Sequence, residues 1–372
     1  MRSGNGNKAL RWQRDCLRSN KTIPILMAAL WVAGAVLGAR CAAQSKPAQA
    51  ECKSCHRSES ASQPETLMAH ALELPGANPT LQGHPILTYR LDKFTYTVKT
   101  VGTESTYSVT DGSQTLTLPI VWSFGAEMQT WVLSLDGKLY ESRVSYYPAV
   151  KGLDITPGDA IKAPRDLTEA MGRVLPHQEA KSCFGCHATG AEVNDKLNLT
   201  AFKPGLSCER CHEGAASHAT AALKHDYTSA PESLSALSTE NLSSFCGQCH
   251  RSFTTVVNQR MFGDVNIRFA PYRLALSKCF DGTDSRIRCT ACHNPHVDVN
   301  RDIASYDPKC LACHAPSKKN PSGAIHPEAK VCRVAKSNCA SCHMPREPRI
   351  DGHVTFTDHF IRVVKAGAPY PD

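Results

Sequence analysis

Cysteine pairs followed immediately by histidine are the residues of this sequence best equipped for chemistry. Between Cys183 and His343 the pattern Cys-x-x-Cys-His occurs six times: Cys183, Cys186 and His187; Cys208, Cys211 and His212; Cys246, Cys249 and His250; Cys289, Cys292 and His293; Cys310, Cys313 and His314; Cys339, Cys342 and His343. A seventh copy, Cys52, Cys55 and His56, stands far upstream. The pattern is the attachment signature of c-type haem: two thiols form thioethers to the porphyrin vinyl groups and the next residue ligates the iron. Zinc sites and redox dithiols also use paired cysteines, but neither needs a histidine after every pair. Seven copies therefore predict seven covalently attached haem c groups.

What holds the other face of each iron decides between carrying electrons and binding a small molecule. Of the 16 His, seven follow the motifs, leaving His70, His84, His177, His218, His225, His296, His326, His353 and His359. Nine candidates for seven positions favour saturated irons with two imidazoles, although each is also open to a plainer role as a surface residue or a propionate partner. Reach limits some assignments. The three-residue step from His293 to His296 includes a proline and cannot carry the chain round a porphyrin, so His296 is expected to cap a neighbouring haem. The same holds for His218, six residues beyond His212. One of His70 and His84 is expected to cap the first haem, and His353 and His359 to share one face of a tail strand, with Asp358 orienting a neighbouring imidazole. His177 and His326 complete the candidate ligands.

Elements of two kinds must position these residues. From about Pro85 to Pro148, Phe94, Tyr96 and Val98 alternate with polar residues, as do Tyr107 with Val109 and Leu116 with Leu118 and Ile120. Asp111-Gly112 and Asp136-Gly137 mark hairpin turns between such runs, which predicts five or six antiparallel strands without haem. Asp166 to Glu169 reads as a capping box that opens a helix running to Pro176. A second helix is expected from near Ser238 through Leu242 and Phe245 into the Cys246 motif. The haem-rich part is otherwise poor in apolar runs, so porphyrin must supply its core. The expected fold class is α+β: a multihaem c-type cytochrome with short helices and loops wrapped round haems, plus an antiparallel β subdomain. The expected divisions are a leader (1–41), an N-terminal segment with the first haem (42–84), the β subdomain (85–160) and a hexahaem domain (161–372).

Residues 1–21 are basic and Ile23 to Leu37 are apolar, the order of a secretory signal, with a retained membrane anchor as the alternative. The formal charge of +8 owes much to this leader, since residues 1–41 hold seven basic and one acidic side chain, leaving +2 for the rest. Two propionates per haem would make the assembled protein acidic, which excludes a nucleic-acid role. Cys279 and Cys332 belong to no motif and are expected to pair in an oxidising compartment.

The segments Cys289 to His296, Cys208 to His218 and Cys339 to Pro345, with Gly352-His353 and Asp358-His359, resemble the multihaem cytochrome c family. That family includes the tetrahaem cytochrome of ammonia oxidisers and the hydroxylamine oxidoreductases. The resemblance implies haems in stacked and perpendicular pairs, mostly with two His ligands. The expected function is electron transfer at the periplasmic or extracellular side of a bacterial envelope, between a quinol-linked donor and a terminal acceptor. A reductase or oxidase of small nitrogen or sulfur oxyanions at one open haem is the rival. A homo-oligomer or cytochrome filament is the third reading.

Overall fold

The structure is a computed structural model that describes residues 52–314, 332, 334–349, 352–365, 367, 370 and 371. The leader, Cys41 and His326 lie outside the described residues. Among the described residues, no helix is long and apolar enough to cross a membrane.

Alternation of apolar and polar residues produces strands where it was expected. β2 (Ile86–Leu91), β3 (Phe94–Val101), β4 (Glu104–Thr110), β5 (Thr115–Phe124), β6 (Thr130–Leu135) and β7 (Lys138–Ser142) form an antiparallel meander. β1 (Leu72–Glu73) pairs with β5. The hairpin β8 (Val144–Tyr147) and β9 (Gly152–Ile155) forms a separate ribbon whose Val144, Tyr146, Leu153 and Ile155 join the core of the main sheet. Phe94, Tyr96, Tyr107, Trp131 and Leu133 are fully buried there. Burial of such side chains stabilises by about 1.5–3 kcal/mol each, so this core needs no cofactor to form.

A register shift between Ile120 and Trp122 interrupts β5. A bulge of this kind reverses which face later residues occupy. Trp122 and Phe124 consequently leave the sheet core and meet Phe184, with ring centroids 5.0 Å away in each case. Phe184 lies inside the second haem motif, on the helix His177–His187. One irregularity in a strand thus fastens the sheet to the motif-bearing half. Both expected boundaries of the β subdomain are crossed by backbone pairing: β1 to β5 at one, and β10 (Gly172–Val174) to β7 at the other.

β10 corrects an expectation. The Asp166 carboxylate does accept from Glu169 N at 2.9 Å, but the helix it opens, Leu167–Met171, is only five residues long. Gly172 ends it at φ +138°, and a Cβ there would lie 2.0 Å from the Glu141 carbonyl. The open edge of β7 takes up the backbone that the apolar spacing assigned to further helix. The second expected helix forms as Thr239–His250, with Ser238 accepting from Asn241 N at 3.1 Å. Short helices make up most of the remainder, and a hairpin of Arg346–Arg349 with Val354–Thr357 precedes the tail.

Candidate functional site

Each motif places its two thiols three residues apart and its His on the fourth, so a single helical turn sets all three. His56, His212 and His293 close such turns by donating their backbone N–H to the carbonyls of Cys52, Cys208 and Cys289 at 2.8, 2.8 and 2.9 Å. The Cys183, Cys246 and Cys310 motifs form the C-terminal turns of longer helices, His177–His187, Thr239–His250 and Asp307–His314. Cys339–His343 is a helix by itself, and Asp307 accepts from Cys339 N at 2.8 Å to hold its start.

Thiols from different motifs meet in pairs. Cys52 lies near Cys208, Cys186 near Cys249, Cys246 near Cys289, and Cys339 near Cys310. The neighbouring Cys186, with Arg210 nearby, holds the Cys249 thiol down. Burial pushes Cys183 and Cys211 up. Arg210 also reaches the Cys249 Sγ at 3.7 Å, joining the third motif to the fourth.

Six of the seven motifs line one cavity of about 3080 Å³; the Cys183 motif stands outside its wall. A site for one small ligand holds roughly 300–1,000 Å³, so this space suits several large groups. The wall is largely apolar, and the donors around it are thiols and imidazoles. Burial keeps His187, His212, His250 and His293 below the usual imidazole range, hence neutral and able to donate a lone pair to a metal. Their neighbours also fix which nitrogen is free. His187 Nδ1 donates to the Ala71 carbonyl at 2.8 Å, and His343 Nδ1 to the Arg362 carbonyl at 2.9 Å, leaving Nε2 for a ligand in both. The donor set, the neutral imidazoles and the volume all fit haem c.

The spare histidines divide. His218, His225, His296 and His359 line the cavity. His296 faces His212 with ring centroids 6.1 Å apart and planes 9° from parallel. His359 faces His293 at 6.2 Å. Two neutral imidazoles at such a separation would leave room to hold a haem iron between them. His359 opens onto the cavity while protein crowds it elsewhere, and this burial, with His293 nearby, lowers it to about 4. Its Nδ1 donates to the Thr357 carbonyl at 3.0 Å. His218 keeps a buried Nδ1 without a hydrogen-bond partner.

The others are held elsewhere. His70 Nδ1 bonds Glu73 at 2.7 Å, and Glu73 is itself fixed by Asn78. His84 donates to the Thr80 carbonyl at 2.8 Å and lies against Tyr146. Neither is brought to the cavity wall that holds Cys52, Cys55 and His56. His177 is exposed at the start of its helix. The tail pair does not share a face. His353 turns back to Asp154 at 2.7 Å and packs on Tyr147, whereas His359 enters the cavity. Asp358 bonds Arg273 and Arg362 in place of an imidazole. Cys279 and Cys332 are both free thiols, so the expected disulfide is absent. Cys279 instead lies among Cys292, Cys310 and Cys313, and Cys332 accepts from Ala335 N at 3.4 Å.

Arg273 is a site residue that pattern reading passed over. Its one signal is a lone cation inside the apolar run Phe269 to Leu276.

Residues 160–213, which contain the second and third motifs, match the family model described as cytochrome c554 and c-prime. The match supports a c-type cytochrome. Covalently bound haem c and a part in electron transfer come with it. No curated protein and no solved structure matches the chain.

Proposed function

We propose that the chain is an exported heptahaem cytochrome that passes electrons along mostly bis-His haems, from a membrane-linked donor to a periplasmic or extracellular acceptor. The observation that carries this reading is two pairs of neighbouring imidazoles, His212 with His296 and His293 with His359, whose ring centroids lie 6.1 and 6.2 Å apart and which would hold haem iron. Haem supplies the one-electron iron couple and the delocalised ring through which electrons pass. The chain supplies attachment through its 14 motif cysteines, neutral imidazoles on both sides of an iron, and walls that limit water. Two imidazoles leave no coordination position for substrate, which favours carriage over turnover. His296 sits opposite the third motif's His212 and not opposite its own His293, consistent with the reach argument and with the finer likeness to tetrahaem and hydroxylamine oxidoreductase proteins. The basic-then-apolar leader supports export, and a quinol-linked donor fits a carrier delivered to that side of the membrane.

His296→Ala tests the reading directly. In the reduced holo-protein it should open one haem, the one attached at Cys208 and Cys211, to carbon monoxide. The ferric protein should gain about one high-spin iron in seven. Retention of the wild-type spectrum would remove the ligand assignment, while nitrite or hydroxylamine turnover by the unaltered protein at roughly 1–1000 per second would favour the reductase reading.

A further inference from the structure

His359 stands in a tail that has no helix or strand after Thr357 among the described residues, yet its ring is aimed at His293. A free tail would sample many directions, so the aim must be imposed from outside. The helix Ala270–Ala275 and the turn after it impose it at two points. Arg273, fully buried, forks onto Asp358, also fully buried: Nε to Oδ1 at 2.8 Å and Nη2 to Oδ2 at 2.9 Å. Four residues on, Ser277 Oγ donates to the His359 carbonyl at 3.3 Å and accepts from Ile361 N at 2.8 Å. The backbone is therefore gripped immediately before, at and after the histidine.

The remaining guanidinium group is also committed. Arg273 Nη1 donates to Asn266 Oδ1 at 3.1 Å and to the Pro371 carbonyl at 2.7 Å, and the Tyr370 ring lies 4.5 Å from the guanidinium carbon. A planar fork fixes the rotation of the carboxylate as well as its distance, which a lysine ammonium cannot do. A buried ion pair adds little net stability beside an apolar pair of the same size, so its value here is in geometry.

We propose that Arg273 and Ser277 are positioning residues that lock His359 in place as the second axial ligand at the haem attached through Cys289 and Cys292. This rests on the ligation reading given above. Neither residue touches the iron. They act by holding the main chain so that the His359 Nδ1–H stays on the Thr357 carbonyl and Nε2 is left to the metal.

The test uses holo-protein carrying His359→Ala, Arg273→Lys or Ser277→Ala, read by ferric electron paramagnetic resonance and by carbon monoxide binding after reduction. His359→Ala should open one haem completely. Arg273→Lys should let the same haem bind carbon monoxide at least about tenfold faster than wild type, because an imidazole that detaches more often exposes the iron more often. Added imidazole should restore the low-spin signal in both. Ser277→Ala should act in the same direction by about two- to threefold, since it removes a neutral hydrogen-bond pair and no charge. The double variant His359→Ala with Arg273→Lys should show no second carbon monoxide site. An unaltered spectrum in His359→Ala would overturn the ligation reading. An open haem in His359→Ala with wild-type behaviour in Arg273→Lys would overturn the clamp alone. Extra open haems in the double variant would also overturn it, by showing general disruption. If Arg273→Lys yields no holo-protein, Ser277→Ala decides: a wild-type binding rate there overturns the clamp.

Discussion

Between Ile86 and Ile155 the interior is filled with side chains, among them Trp131, Tyr96, Tyr107 and Phe94, none of which reaches solvent. From Cys208 to Val364 the interior is largely the cavity itself, and the buried apolar cluster nearest to it is small: Val256, Phe269 and Tyr272 with Met261 and Leu276 against them. The first region carries its core in its sequence. The second carries attachment points for one. Two parts of one chain, joined by the ion pairs of Arg301 with Glu127 and of His353 with Asp154, thus differ in where their apolar mass comes from.

The largest expected effect tests that difference at its root. In full-length chain produced with thioether attachment blocked, sites between Cys208 and Val364 should be cut by protease at least about tenfold faster than sites between Ile86 and Ile155, equivalent to roughly 1.4 kcal/mol of easier opening. Equal resistance, followed by mass spectrometry of the fragments, would erase the distinction. The converse experiment perturbs the self-sufficient region. Trp131→Ala should cost about 3–5 kcal/mol in urea unfolding of the sheet, because a fully buried aromatic is replaced by a cavity. The haem spectrum below the transition should stay unchanged, and a loss of low-spin haem in step with the sheet would show that the two regions are not separable.

The smallest effect sharpens the picture at one turn of the sheet. Asp111 accepts from Ser113 N, Ser113 Oγ and Gln114 N, and these bonds hold its carboxyl down at about 2. Because the folded value is depressed, the stabilisation is present above the ordinary value near 3.8 and is lost as pH falls through about 2. Amide shifts of Ser113 and Gln114 should titrate over that window in the holo-protein and stay flat in Asp111→Asn, with no change in any haem band. Solvent exposure keeps the effect local.

Legibility follows the same division. The sheet was readable because period-two alternation and Asp-Gly turns are local signals, and Phe94, Tyr96 and Val98 are buried as the pattern requires. The bulge after Ile120 was not, since nothing in the residues says where the alternation slips. The helix expected to reach Pro176 was cut short by Gly172, whose left-handed backbone gives β7 a partner, a tertiary gain that outweighs local helix preference. The motifs were readable because covalent chemistry demands fixed spacing. The placement of the spare histidines was only partly so: reach kept His296 from its own motif's His293, but the divergence of His353 and His359 depends on Asp154 and Arg273, which are far away in sequence. Arg273 itself has no motif around it.

The facing imidazoles have a meaning in time as well as in space. Read along the direction of synthesis, separation in sequence becomes delay. His293 is made well before His359, and His212 well before His296, yet each pair ends up face to face. On the proposed ligation, early haems wait with one ligand until later chain arrives, and at about 5–20 residues per second that interval lasts seconds. On that reading the later segment, which carries Asp358, His359 and Tyr370, acts as a seal. A chain truncated before it would display all seven attachment motifs and still leave unfinished the haem attached through Cys289 and Cys292.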